Sequence, residues 1–287
     1  MKKTLLLITA VLLMAISVPA QDWAKAKLEK SPRHGEWVKV KHDSREVESF
    51  ITYPEVKDKA TAVIVIHEIF GLSDWVCDVT DQLAAAGYIA IAPDLLSGKG
   101  PNGGGTADLG GAQGAQRVIG SLPPDQISAD LNAVMDYVSK LPSCNGKVVV
   151  MGFCWGGGQT FRFATNNKNI KAALSFYGPI PTDAAAIARI TCPVYGFYAE
   201  NDARITATVP KAVEMMKAAG KTYEPVTYPG AGHGFMRAGE APAPTAPNDS
   251  ANQVTRDAYP KALSDYKANQ KACEDAWKRT LELMKKI

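Results

Sequence analysis

Beyond residue 20 the chain has no apolar run long enough to cross a bilayer, no CxxC pair, no internal repeat and no close group of histidines. A helical span needs about 20 apolar residues, so stable membrane insertion by a later segment is not expected. Without CxxC a thioredoxin-like redox motif is excluded, and the four histidines are too scattered for a structural zinc site. No cofactor and no metal are implied. An excess of either charge is also missing. Without Lys2 and Lys3, the 32 basic residues become 30, against 29 acidic ones. Such a balance does not suggest a nucleic-acid partner. Five cysteines are too few and too odd in number for a full disulfide framework, so at least one thiol stays unpaired. Cys77, Cys144, Cys192 and Cys273 fall in helical or strand-edge contexts and read as small buried hydrophobes.

What the chain does have begins with "MKKTLLLITAVLLMAISVPA". Two lysines, an apolar run and small residues at Val18 and Ala20 make residues 1–20 a secretory signal peptide, cut after Ala20. The expected location is periplasmic or secreted. Residues 21–287 then read as a single α/β domain. Short β-branched runs at 62–67, 88–93, 147–152, 170–177, 193–198 and 222–229 predict strands. Helix-period segments at 74–86, 124–140, 155–165 and 207–219 lie between most of them, and a last helix is expected from about Tyr259 to Lys285. Apolar strands alternating with helices predict a mostly parallel central sheet with helices on both faces. "REVESFITYP" alternates like an outer antiparallel strand. Two stretches break the rhythm. The glycine-dense 97–116 is expected to be a mobile excursion and the Pro/Ala-rich 237–253 a loop, both at the strand ends where α/β sheets bind ligands.

The sharpest local signal is "VVVMGFCWGGGQTF" (148–161). Gly152-Phe153-Cys154-Trp155-Gly156 fits the small-x-nucleophile-x-small elbow, with sulfur in place of serine oxygen. Small flanking residues let strand and helix pass closely while the turn pushes the nucleophile into a cleft. Helix N-terminal amides next to the sulfur favour negative charge, so an exposed thiol with a stabilised thiolate is expected. A dinucleotide turn is disfavoured, because its second glycine falls where Cys154 stands. A buried structural cysteine remains open. Partners follow in the order such a fold requires, acid and then histidine. Asp202 lies past one strand and His233 past the next. Glu200 competes as the acid, but alternation along the strand and nearness to the turn favour Asp202. Glu68 ends the first central strand, over the cleft. Trp155, Tyr177 and Phe235 either line an apolar acyl pocket or belong to the core.

With these residues the chain resembles the dienelactone hydrolase family of the α/β-hydrolase fold. "HEIFGL" (67–72), "PDLL" (93–96), "GFCWGG" (152–157) and "HGF" with Arg237 (233–237) carry the likeness. "AWKRTLEL" resembles the family's last helix. The resemblance implies Cys154 as nucleophile, His233 as base, Asp202 as its orienting acid, and Glu68 as an extra carboxylate that contacts the thiol. It also implies oxyanion amides from Ile69 and Trp155, and Arg237 as one of two arginines holding a substrate carboxylate. The second arginine position holds Gly98, with Lys99 next, and the serine expected after the histidine is Gly234. An exported hydrolase of small-molecule esters or lactones with an altered anion clamp is therefore expected. The alternatives are an exported small-molecule binding protein on the same scaffold, and an amidase or peptidase.

Overall fold

A computed structural model describes residues 22–287. The expected signal peptide and its cut before Gln21 lie outside the described residues. Helix α1 (Asp22–Leu28) leads into an antiparallel hairpin, β1 (Gly35–His42) and β2 (Arg45–Thr52). Then follow β3 (Ala60–Ile66), α2 (Asp74–Ala85), β4 (Ile89–Pro93), α3 (Ala112–Ile119), α4 (Pro124–Ser139), β5 (Cys144–Phe153) and α5 (Trp155–Asn166). The chain continues with β6 (Ala172–Phe176), α6 (Ala184–Ala188), β7 (Val194–Ala199), α7 (Ala203–Thr206), α8 (Val209–Ala218) and β8 (Tyr223–Tyr228). It ends with α9 (Phe235–Glu240) and α10 (Gln253–Met284).

The eight strands form one sheet in the order β1-β2-β4-β3-β5-β6-β7-β8. β2 runs antiparallel to β4, and the six strands from β4 to β8 are parallel. Strand periodicity sorts the side chains onto two cores. Ile64, Ile66 and Val150 pack on one face with Leu131 and Val134 of α4 and Phe161 of α5. Val63, Val65, Val149 and Met151 pack on the other with Trp75 and Leu83 of α2 and Ala272 and Ala276 of α10. Burial on both faces explains why these strands read as unbroken apolar runs.

Several expectations need correction. The outermost strand is β1, not β2, and neither β1 nor α1 is expected from the sequence. Residues 97–116 are not an unstructured excursion. They fold into two short 3₁₀ turns and the start of α3. Thr106 fastens them, because its backbone N–H and its hydroxyl donate to the buried Asp94 carboxylate at 2.6 and 2.7 Å. The second break is a loop only over 241–252, since α9 takes its first residues. Helix α10 starts six residues before Tyr259, with Asn252 accepting from the Thr255 N–H, and runs through Pro260. Proline near a helix start suggests the first turn. Here it sits within the helix and leaves the Arg256 carbonyl without its N–H donor.

Candidate active site

The site gathers at the carboxyl ends of β3, β5, β7 and β8. Cys154 joins β5 to α5 at φ 54°, ψ −118°, a left-handed region that side chains rarely adopt. The surrounding fold overdetermines this corner. A Cβ on Gly152 would strike the Gly156 carbonyl and the Thr160 hydroxyl, and one on Gly156 would strike the Ile66 and His67 carbonyls. Strand and helix therefore cross at glycine distance, and the thiol is turned into the cleft, half-buried.

Cys154 Sγ lies 3.1 Å from His233 Nε2, and His233 Nδ1 lies 2.5 Å from Asp202 Oδ2. The carboxylate only accepts, so Nδ1–H donates to it and Nε2 is left to accept from the thiol. Glu200 does something else. Its Oε2 accepts from the Gly230 N–H at 2.8 Å and tethers the loop that carries His233. Asn269 of α10 holds the same loop, accepting from the Gly232 N–H at 2.8 Å.

Glu68 is buried, and Arg237 Nε donates to its Oε2 at 3.0 Å. The guanidinium lies 5.3 Å over the Phe70 ring and borders a surface groove with Trp23, Pro242 and Tyr266. Burial pushes the Glu68 carboxyl up, against the pull of Arg237 and His233. Cys154 departs from its expectation. Burial, then the Glu68 charge, pushes the thiol up to about 11, although the Trp155 amide, the Arg204 charge and the Ile69 amide act the other way. The resting group is a thiol, not a stabilised thiolate, because desolvation outweighs the helix amides.

Tyr177 and Phe235 are fully buried. Tyr177 meets the His233 imidazole and Phe235 edge-on, with ring centroids 5.1 and 5.2 Å apart. Of the two readings of these aromatics, packing behind the histidine is the one this placement fits. Trp155 is partly buried and stacks on His67 at 5.6 Å. Gly98 and Lys99 are exposed, and Lys99 forms no ion pair among the described residues. Sequence reasoning missed Arg204, Asn269 and the tether at Glu200. Only Arg204 left a signal, as a cation two residues after the acid.

Relatives of this chain include proteins called "Putative carboxymethylenebutenolidase" in Escherichia coli K12 and Methylorubrum extorquens. The first is 31% identical over 236 residues, covering 78% of this chain and 76% of that protein. The second is 31% identical over 210 residues, covering 69% and 71%. Among solved structures, a "Putative Dienelactone Hydrolase" from Klebsiella pneumoniae superposes with a TM-score of 0.70 at 24% identity, covering 89% of this chain and 99% of that one. The dienelactone hydrolase of Anabaena variabilis gives 0.56 at 16%, covering 70% and 88%. These structures share the α/β-hydrolase fold described above. The model of the dienelactone hydrolase family matches residues 47–287, a range that takes in the corner at Cys154, both flanking loops and the last helix, and the chain belongs to that family.

Proposed function

We propose that this protein hydrolyses ester or lactone bonds of small molecules, through an acyl-thioester on Cys154, in the periplasm or outside the cell. The observation that supports the reading is the contact path from Cys154 Sγ through His233 to Asp202, at 3.1 and 2.5 Å. His233 takes the thiol proton as sulfur attacks the substrate carbonyl. The new C–S bond pushes the carbonyl electrons onto oxygen, which the Ile69 and Trp155 amides receive. His233 then protonates the leaving alkoxide, activates a water against the thioester, and returns the thiol. Acid–base help of this kind is worth ~10²–10⁴ in rate.

A thiol near 11 needs a trigger at neutral pH. Arg237 is held by Glu68. A substrate oxygen that competes for Arg237, whether an anion's or a neutral carbonyl's, frees a carboxylate whose charge already acts on the sulfur, and whose proton affinity is raised by burial. The anion clamp is looser than a two-arginine clamp, since Gly98 supplies no guanidinium and Gly234 no hydroxyl. One missing charge-assisted bond costs about 1.5–3 kcal/mol, roughly ten- to a hundredfold in selectivity for a carboxylated substrate.

The test is Cys154→Ala on a panel of esters, lactones, thioesters and amides that includes a carboxylated lactone and its neutral analogue. Turnover is expected to vanish with an unchanged circular dichroism spectrum, and the two lactones to differ little in kcat/KM in the native protein. Retained turnover removes Cys154 from the mechanism, and turnover of amides alone reassigns the reaction. Protein from the exported fraction is expected to begin at Gln21. An intact Met1 in the cytoplasm overturns export.

A further inference from the structure

His67 lies outside the contact path of the proposed mechanism, yet it touches both segments that carry the two oxyanion amides. It is fully buried at the end of β3. Its Nε2 accepts from the Leu95 N–H at 3.2 Å. That bond leaves the proton on Nδ1, which donates to the Glu68 carbonyl at 2.8 Å. The face of the imidazole stacks on Trp155, with centroids 5.6 Å apart and planes 14° from parallel. Burial pushes the imidazole's proton affinity down, so this neutral tautomer is the resting state.

The Glu68 carbonyl and the Ile69 N–H are two ends of one peptide unit. A trans peptide is planar, so a clamp on its oxygen fixes the direction in which its N–H points. A hydrogen bond to the carbonyl also polarises the unit and strengthens the N–H as a donor. A second clamp holds the far side of the turn. The Leu72 N–H donates to Thr106 Oγ1 at 3.0 Å, and that hydroxyl donates to Asp94. The Gly71 N–H closes the turn on the Glu68 carbonyl at 3.2 Å. Both clamps lead back to the turn of residues 94–97 after β4, so the amide is braced against the sheet.

We propose that His67 is a positioning residue that aims the Ile69 amide at the developing oxyanion and, by stacking, holds the Trp155 amide beside it. The proposal rests on the acyl-transfer reading above. Its ligand is not the substrate as it binds but the tetrahedral oxyanion formed from it.

The experiment compares His67→Leu, His67→Asn and His67→Gln with the native enzyme on one activated ester. Affinity is also measured for a trifluoromethyl ketone of the same acyl group, whose free, unhydrated carbonyl carbon adds the Cys154 sulfur, the carbonyl electron pair passing to oxygen as a tetrahedral oxyanion and the thiol proton to His233. Deleting an oxyanion donor costs ~10²–10³ in kcat. Misaiming one by about 1 Å costs up to ~10²-fold. His67→Leu is expected to lose about ten- to a hundredfold in kcat and the same factor in ketone affinity, with KM unchanged. Asparagine places an amide N–H where histidine has Nδ1, so it keeps the donor to the Glu68 carbonyl, and is expected to restore most of both. Glutamine places its amide where histidine has Nε2, beside Leu95, and is expected to behave like leucine; it decides the matter if leucine prevents folding. A change in Tm with kcat and ketone affinity intact makes His67 merely structural and overturns the proposal. So does a loss that asparagine fails to rescue, or one confined to KM. If Cys154→Ala still turns over the ester, the acyl-transfer reading falls and this one with it, whereas an unmoved His67 variant in an enzyme dependent on Cys154 overturns only the positioning role.

Discussion

At the scale of single residues, Cys154 sits between opposing influences. Desolvation and the Glu68 carboxylate favour the thiol, while two amides and Arg204 favour the thiolate. Replacing Glu68 by glutamine acts twice in one direction. It removes the anion that disfavours thiolate, and it releases Arg237 from its partner, leaving a free cation in the site. Thiolate is then favoured on both counts, so the midpoint of thiol ionisation is expected to fall below the native value of about 11. The other four cysteines are buried, which makes Cys154 the accessible target for iodoacetamide. The alkylation rate against pH gives the midpoint directly. A midpoint that stays or rises in Glu68→Gln shows that Glu68 does not act on the sulfur.

At the scale of elements, the site depends on how closely β5, α5 and the end of β3 approach. Gly156 is a close crossing point, where an added Cβ meets the backbone carbonyls of Ile66 and His67, which cannot rotate away. Gly156→Ala is expected to destabilise by about 1–3 kcal/mol, as overpacked sites do. It should also lower kcat, because the displaced carbonyls are joined to the residues that precede Glu68 and Ile69. Denaturant unfolding and ester kinetics on the same preparation check both, and a variant with native stability means the crossing has slack. This crossing was legible in the sequence, since glycines around a cysteine after an apolar run have few other uses. The parallel direction of the inner strands was legible too, because their unbroken apolar runs alternate with helices. What could not be read were features made by long-range pairing. Glu200 and Asp202 differ by two positions on one turn, and only the fold shows one on Gly230 and the other on His233. The resting state of the thiol was misread because helix amides are visible in the sequence and burial is not. The early start of α10 was missed for a local reason, since Asn252 caps the Thr255 N–H and Gln253 pairs with Asp257 upstream of Pro260.

At the scale of the whole molecule, the thiols together set a limit on alkaline stability. Burial pushes Cys154 and Cys192 up to about 11 and Cys273 up to about 12, from an ordinary 9.0, and it raises Cys77 as well. Unfolding returns each to water and to its ordinary value. Between about pH 9 and 12 the unfolded chain therefore binds fewer protons than the native one, and the stability of the native state falls as pH rises. Below pH 9 both states hold these protons, so the thiols contribute no slope there. Each group adds at most about 1.4 kcal/mol per pH unit inside its window. Urea unfolding at half-unit steps from pH 8 to 11 is expected to show the decline beginning near pH 9. Cys192→Ala and Cys273→Ala should each be less stable at pH 8, since each leaves a small cavity, yet lose less on going to pH 11. The difference in slope isolates the ionisation from the packing. A double variant that declines as steeply as the native protein assigns the alkaline limit to other groups, the buried tyrosines Tyr198 and Tyr228 first among them, since both are pushed up to about 12 by the same burial.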